Sequence, residues 1–479
     1  MLHFVLESTL FKKIDWQLTA GGIYLLLPNI LFGIYLSNIA LIISILATAY
    51  CGWIIYITPN ESNNLSKTTV NKLLLFLICV VWVYWSGMTG QFYSNTDWPV
   101  RLTVLNDLIQ NHWPVVYEHE NQNFFLRAPI GYYLPSALIG KIFNSYDVGL
   151  WSLFSWTVIG TFIAINISVS KYNSRKALMG VGIIILFSGM DIIGYLIREH
   201  GNIHLGDHLE VWAGRWQYSS NTTLLFWVPN HAISAWIFTS LMIRKQDDPI
   251  FWMISPMLLA ATLIFSPLSF IGCFLLYIFY FYKKIYNSLN NFNNYQISSF
   301  IGSLFFLSGA HYILSDIKSI PNPGHSHKYS LIVTLLWYSC FILLEFGLQA
   351  FFLKFISYNK RWLYVSCATL ILLPFAPEIG PGSDLVMRAS IPPLFCLCLL
   401  SVDALLIRHL AYSKLKIESL IFIAILVVGS LTPGMELART LKLQGRKFVP
   451  SDNIYEITKG KAGHYYAVCG NHTLIKCND

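Results

Sequence analysis

Residues 91–143 read QFYSNTDWPVRLTVLNDLIQNHWPVVYEHENQNFFLRAPIGYYLPSALIGKIF, a polar island in an otherwise very apolar chain. Asp97-Trp98-Pro99 marks a helix start, because an Asp side chain can accept unpaired amide bonds and Pro is tolerated in the first turn. Beyond it Val100, Val104, Leu105, Leu108 and Ile109 recur at three and four, with Arg101, Thr103, Asn106, Asp107 and Gln110 on the other side. That pattern predicts an amphipathic helix lying flat on a membrane surface. His112-Trp113-Pro114 stops it, and residues 117–127 show no apolar period, so Glu118, His119, Glu120 and Arg127 read as loop residues. The apolar run 129–143 is shorter than the roughly 20 residues a span needs, which predicts a second interfacial helix.

The whole chain bears out the apolar setting. Its 479 residues are 55% hydrophobic, 15% aromatic and only 12% charged, and the mean hydropathy is +0.54. This excludes a soluble core and predicts an all-α, polytopic transmembrane bundle. A net charge of +8 raises the question of nucleic acid, but the Lys and Arg lie in short clusters between apolar runs and form no basic face. No nucleic-acid partner is expected. Nothing near Lys12 and Lys13 reads as a cleavable signal, so the first apolar run is expected to be an uncleaved anchor.

About thirteen spans are predicted, at 18–36, 39–57, 72–90, 151–169, 178–196, 223–243, 251–265, 267–282, 299–314, 330–353, 363–376, 389–407 and 419–431. With these, Lys67, Lys171/Arg175/Lys176, Arg244/Lys245, Lys283/Lys284, Lys360/Arg361 and Arg408/Lys414/Lys416 fall on one side, as cytoplasmic basic loops should. The arrangement requires that 131–143 not cross. It also requires 251–282 to be a hairpin of two short helices or a re-entrant pair, turning at Ser266-Pro267. Residues 1–434 are then the bundle and 435–479 a small extracytoplasmic tail. Seven cysteines lie in or beside apolar runs as packing residues, whereas Cys469 and Cys477 lie in the tail and could bridge in an oxidising compartment.

On this topology the outer face collects the unusual chemistry: residues 91–143, 197–222, 315–329 and 377–388. Asp191 lies inside an apolar run, where an ionisable group is costly and points to function. His231 follows Pro229, whose missing amide opens the helix. Arg388 starts a span after a turn-rich loop, with a planar fork suited to a phosphate at headgroup level. Each has a structural reading too. Asp97 would serve as a cap, Arg388 as an interface anchor, Asp191 and His231 as a polar pair between helices, and Glu118, Glu120 and Glu210 as solvated loop acids. No HExxH, Walker A or GxGxxG pattern occurs, so neither zinc nor a cytosolic nucleotide is expected.

The layout resembles the GT-C class of membrane glycosyltransferases, in which a first long outer loop carries an acidic residue near its start, followed by two juxtamembrane helices and a span. Asn95-Thr96-Asp97-Trp98, residues 99–110, residues 128–143 and residues 151–169 match those parts in order, and Arg127-Ala128-Pro129-Ile130-Gly131-Tyr132-Tyr133 resembles the entry to the second helix. SGMDIIG, FWVPNHAISAW and DLVMRASIPPLF resemble segments of uncharacterised bacterial multi-spanning proteins near that class. The match covers about a quarter of the chain. It departs from the class in the hairpin 18–57 before the first span and in a lone Asp at the acidic start.

The resemblance implies a bacterial inner-membrane enzyme, its site on the extracytoplasmic face, that moves a sugar from a polyprenyl-phosphate carrier to a glycan, lipid or protein acceptor. Asp97 would be the general base, held by Arg101 one turn on, with Arg388 and Arg127 on the departing phosphate. Glu118, Glu120, Asp191, Glu210 and His231 complete the candidate substrate-binding set. A divalent cation is admitted and not demanded. The competing readings are a transporter or flippase of a lipid-linked saccharide and a glycan polymerase or ligase.

Overall fold

A computed structural model describes residues 15–57, 71–119, 122–288, 293–315, 330–379, 383–409, 417–458 and 465–469. The chain is mostly helical. Among the described residues nine helices are long and apolar enough to cross a membrane, four fewer than the sequence suggests. The other four expected spans hold shorter helices: Lys72–Tyr84, the broken pair Asn221–Trp227 and Pro229–Arg244, Pro249–Ala261, and Lys360–Leu372. A 13-residue helix rises only about 20 Å against a hydrocarbon core of about 30 Å. Local chemistry cuts each short. Gly87 turns the chain with a positive φ, Pro229 restarts a helix, and Pro374 follows the last of them. The expected pair of short helices at 251–282 is corrected in the same way, since its second member, Pro267–Ser288, has 22 residues.

The bundle has two distinct polar ends. At one, Arg244 donates to both oxygens of Asp403 at 2.7 and 2.9 Å, Lys171 meets the same carboxylate at 2.7 Å, and Lys245 pairs with Asp15. Lys284 and Arg361 bond backbone carbonyls of Gln246 and Tyr280 there. These are loops expected to share the basic side. At the other end Tyr146 donates to the Phe448 carbonyl, Lys447 pairs with Asp147 at 3.0 Å, and Arg439 donates to the Leu205 carbonyl at 3.0 Å. The helix Tyr146–Val169 joins the two ends, and its 24 residues span about 36 Å.

The stretch 91–143 folds differently from its sequence pattern. The helix Trp98–Gln110 is no surface float, because its polar side is buried as well: Thr103, Asp107 and Arg101 are 0%, 2% and 5% exposed. It packs on the helices Leu134–Ile142, Tyr146–Val169 and Ile454–Ile457. A Cβ on Gly140 or Gly149 would meet Ile109 Cδ1 at 2.6 or 2.4 Å, so this close approach needs glycine on both helices. Overpacking of that kind costs about 1–3 kcal/mol. Residues 128–133 turn before the second short helix, which leaves Ile142 and Phe143 as an exposed apolar edge.

Residues 117–119 and 122–126 are strand and not loop. β1 (Val116–His119) and β2 (Gln122–Leu126) form a hairpin, and β3 (Tyr466–Val468) adds to β2 in the order β1-β2-β3, all antiparallel. As the central strand β2 buries Phe124, Phe125 and Leu126 in succession, which removes the alternation that marks a half-buried strand. Two further contacts bind the tail: the Ile454 amide donates to Asp107 Oδ2 at 3.0 Å, and the Cys469 amide to the Asn123 carbonyl at 2.8 Å. Cys469 is disulfide-bonded, while the seven bundle cysteines are free; Cys477 lies outside the described residues. The helix Leu431–Lys442 runs straight through the 434/435 boundary and ends the last long helical run.

Candidate functional site

A cavity of about 500 Å³ opens at the end that holds residues 91–143. Two aspartate–arginine pairs with the same spacing line it. Asn95 begins the first: its Oδ1 accepts the Asp97 amide at 3.0 Å and caps the turn, so the Asp97 carboxylate makes no cap bond. Instead Asp97 Oδ2 meets Arg101 Nη2 at 2.8 Å, the one-turn pairing expected of them. Arg101 Nη1 also donates to Asn230 Oδ1 at 2.9 Å, just where Pro229 restarts its helix. The second pair begins at Ser383, in left-handed backbone, whose Oγ donates to the Arg215 carbonyl at 2.6 Å. One turn on, Arg388 Nη1 lies 2.5 Å from Asp384 Oδ1.

Four charges thus face one cavity with a net charge near zero. Burial works against the Arg101 charge, but Asp97 beside it outweighs that and holds the guanidinium cationic. The Nε atoms of Arg101 and Arg388 are both buried and unpartnered among the described residues. Asp97 is 40% exposed and offers a carboxylate oxygen to the cavity.

The opposite wall is His208, Gln217 and Trp227. His208 stacks on Trp227 with centroids 4.8 Å apart, and Glu436 holds both, accepting from Trp227 Nε1 at 3.2 Å and lying 3.5 Å from His208 Nδ1. Burial opposes the His208 charge, yet Glu436 and Glu210 outweigh it and raise its pKa. Behind Gln217, Glu210 accepts its amide at 3.3 Å and the Ser220 amide at 2.8 Å. Burial pushes Glu210 up to about 7, with His208 pulling the other way. Tyr465 and Thr458 of the tail close the cavity.

Of the candidate residues, Asp97, Arg101 and Arg388 meet in the cavity, and the other described ones do not line it. Arg127 is buried at the sheet, donating from its side chain to the Ser315 carbonyl and from its amide to the Tyr465 carbonyl. Glu118 is exposed on β1 opposite Asn123, and Glu120 lies outside the described residues. Asp191 and His231 are not a pair. Asp191 accepts from Ser188 Oγ at 2.8 Å and Thr432 Oγ1 at 3.0 Å and contacts Glu345, while His231 Nδ1 is 2.6 Å from Ser266 Oγ. Glu210 is fully buried behind the wall and is not a solvated acid.

Sequence reasoning passed over Asp384, His208, Gln217, Trp227 and Tyr465. One signal was present: DWPVR at 97–101 and DLVMR at 384–388 share an Asp-x-x-x-Arg spacing, which puts both side chains on one helix face. Among the described residues no three His, Cys, Asp or Glu side chains gather as metal ligands. Comparison with family models, curated proteins and solved structures finds no match to this chain.

Proposed function

We propose that the cavity is the active site of a GT-C-like membrane glycosyltransferase that uses a polyprenyl-phosphate-linked sugar and works on the extracytoplasmic face. The observation that carries this reading is the convergence of two Asp-x-x-x-Arg pairs, 97–101 and 384–388, on one cavity at the end opposite the basic loops. A phosphodiester brings one negative charge and two free oxygens. The guanidinium groups of Arg101 and Arg388 supply donors for them, and their aspartate partners keep the site from carrying a large uncompensated charge.

In the reaction the acceptor hydroxyl oxygen bonds to the anomeric carbon as the sugar–phosphate bond breaks, its electrons leaving on the phosphate. Asp97 takes the hydroxyl proton, and Arg101, in place of Arg127, joins Arg388 in stabilising the departing oxygens. Trp227 and His208 form an apolar ledge on which a sugar face can rest.

Asp97→Asn tests the proposal. The cap belongs to Asn95, so the variant should fold, and Arg101 keeps Asn230 as a partner. Sugar transfer from a polyprenyl-phosphate donor should fall on the order of 100-fold or more. Full transfer by the folded variant would sink the base assignment. Lipid movement across vesicles without any transfer would favour the flippase reading instead.

A further inference from the structure

We propose that Tyr465, brought from the C-terminal segment, is a substrate-binding residue of this cavity, donating its phenolic hydrogen to the same anionic group that Arg101 and Arg388 face. The inference rests on the reading of the cavity as a phosphate site.

Its first support is position. Tyr465 lines the cavity with Asp97, Arg101, Asp384 and Arg388 and feels the charge of all four. Burial raises its pKa, with the two arginines acting against the rise, so the phenol keeps its proton at neutral pH and remains a donor. A phenolic donor on the same cavity as two guanidiniums can add a third contact to an oxyanion.

The second support is how firmly the backbone is held. The Arg127 amide donates to the Tyr465 carbonyl at 2.8 Å, and on the next residues Leu126, Phe125 and Phe124 pair with Tyr466, Ala467 and Val468. Upstream, Ile454 is tied to Asp107, and the Tyr455 ring lies tilted against Phe124 with centroids 5.0 Å apart. Tyr466 is buried in the core, while Tyr465, the residue just before β3, lines the cavity. Arg127 therefore acts on the site at one remove, as a positioning residue for Tyr465.

Farnesyl phosphate, a short prenyl monophosphate, is the probe, titrated against the full chain in detergent with tryptophan fluorescence as readout, since Trp227 lines the same cavity. Tyr465→Phe should weaken binding about tenfold, the loss of one hydrogen bond to a charged group. Arg388→Gln should weaken it further, Tyr466→Phe should leave it unchanged, and Tyr465→His, which restores a donor on a ring, should recover part of the affinity. Undiminished binding by Tyr465→Phe while Arg388→Gln loses it overturns the role of Tyr465 alone. Equal losses in Tyr465→Phe and Tyr466→Phe, with no recovery by His, make the segment a structural support and overturn it too. No binding by the natural chain overturns the phosphate reading and this inference together.

Discussion

Asp107 Oδ2 accepts the backbone amide of Ile454 at 3.0 Å, joining positions 347 residues apart. The same oxygen accepts the Tyr117 hydroxyl at 2.7 Å. The bond ties the first polar stretch to the segment that closes the cavity, and burial, partly offset by these two donors, pushes the Asp107 carboxyl up to about 6 from its ordinary 3.8. A carboxyl whose folded value is raised contributes stability that is complete below its unfolded value and lost as pH rises through the folded one. The contribution of Asp107 to the fold that holds residues 454–458 should therefore be larger at pH 4 than at pH 7, the change falling between its ordinary 3.8 and about 6. Amide exchange in that segment, corrected for intrinsic rates, should show this, and Asp107→Asn should flatten the profile. An unchanged profile in the variant would remove Asp107 as the cause.

Arg388→Lys separates phosphate binding from proton transfer. Lysine keeps the charge but loses the planar fork and its Nε–H. The KM for the lipid-linked donor should rise about tenfold while kcat stays within about twofold, which is the pattern of lost ground-state binding. A kcat that falls with KM unchanged would mean that the planar fork, and not the retained positive charge, stabilises the departing oxygens.

The carboxyls of Asp191 and Glu345 meet where three helical runs are irregular together: a break before Asp191, a π-helical stretch at Leu343–Gly347, and a break at Ser430. Both are fully buried, and Trp212 Nε1 donates to Glu345 Oε1 at 2.7 Å. Asp191→Asn can still accept from Ser188 and Thr432 and can donate to Glu345, so thermal unfolding should move little or upward. Glu345→Leu leaves the Trp212 N–H unpaired and should cost about 1–3 kcal/mol. Equal destabilisation by both variants would contradict this account.

Cysteine labelling checks which loops share a side. Asn144, Ser451 and Lys284 are all exposed. In a chain whose exposed Cys340 is replaced by Ser, probes at 144 and 451 should react from one side of the membrane and a probe at 284 only from the other. Reaction of 144 and 284 from the same side would require the helix Tyr146–Val169 and its neighbours to be redrawn.

Composition and apolar run length made the helical bundle legible, and the placement of Lys171, Lys245, Lys284 and Arg361 marked one of its ends. The span count was overstated because an apolar run says nothing about where Gly87, Pro229 or Pro374 interrupts it in space. In the site, Asp97, Arg101 and Arg388 were readable because each stands out from its neighbours at a helix start. Tyr465 was not, since nothing in its local sequence points to a strand partner some 340 positions earlier. Arg127 was misassigned for a related reason: an arginine committed to a backbone carbonyl and one free to bind an anion look alike in sequence.

The cavity's walls come from residues 97–101, 208–228 and 384–388 and from Thr458 and Tyr465, and that order has a consequence for biosynthesis. A nascent chain that has delivered both aspartate–arginine pairs to the membrane still lacks the wall carrying Tyr465. That wall arrives only when the helical run Ile417–Lys442 has been inserted in the right direction and the segment after it has reached the far side. Insertion of this late helix is thus the assembly step for the site. A chain stalled or inverted there would carry its charged residues without their cover, giving a cell's quality-control proteases a way to tell finished from unfinished copies.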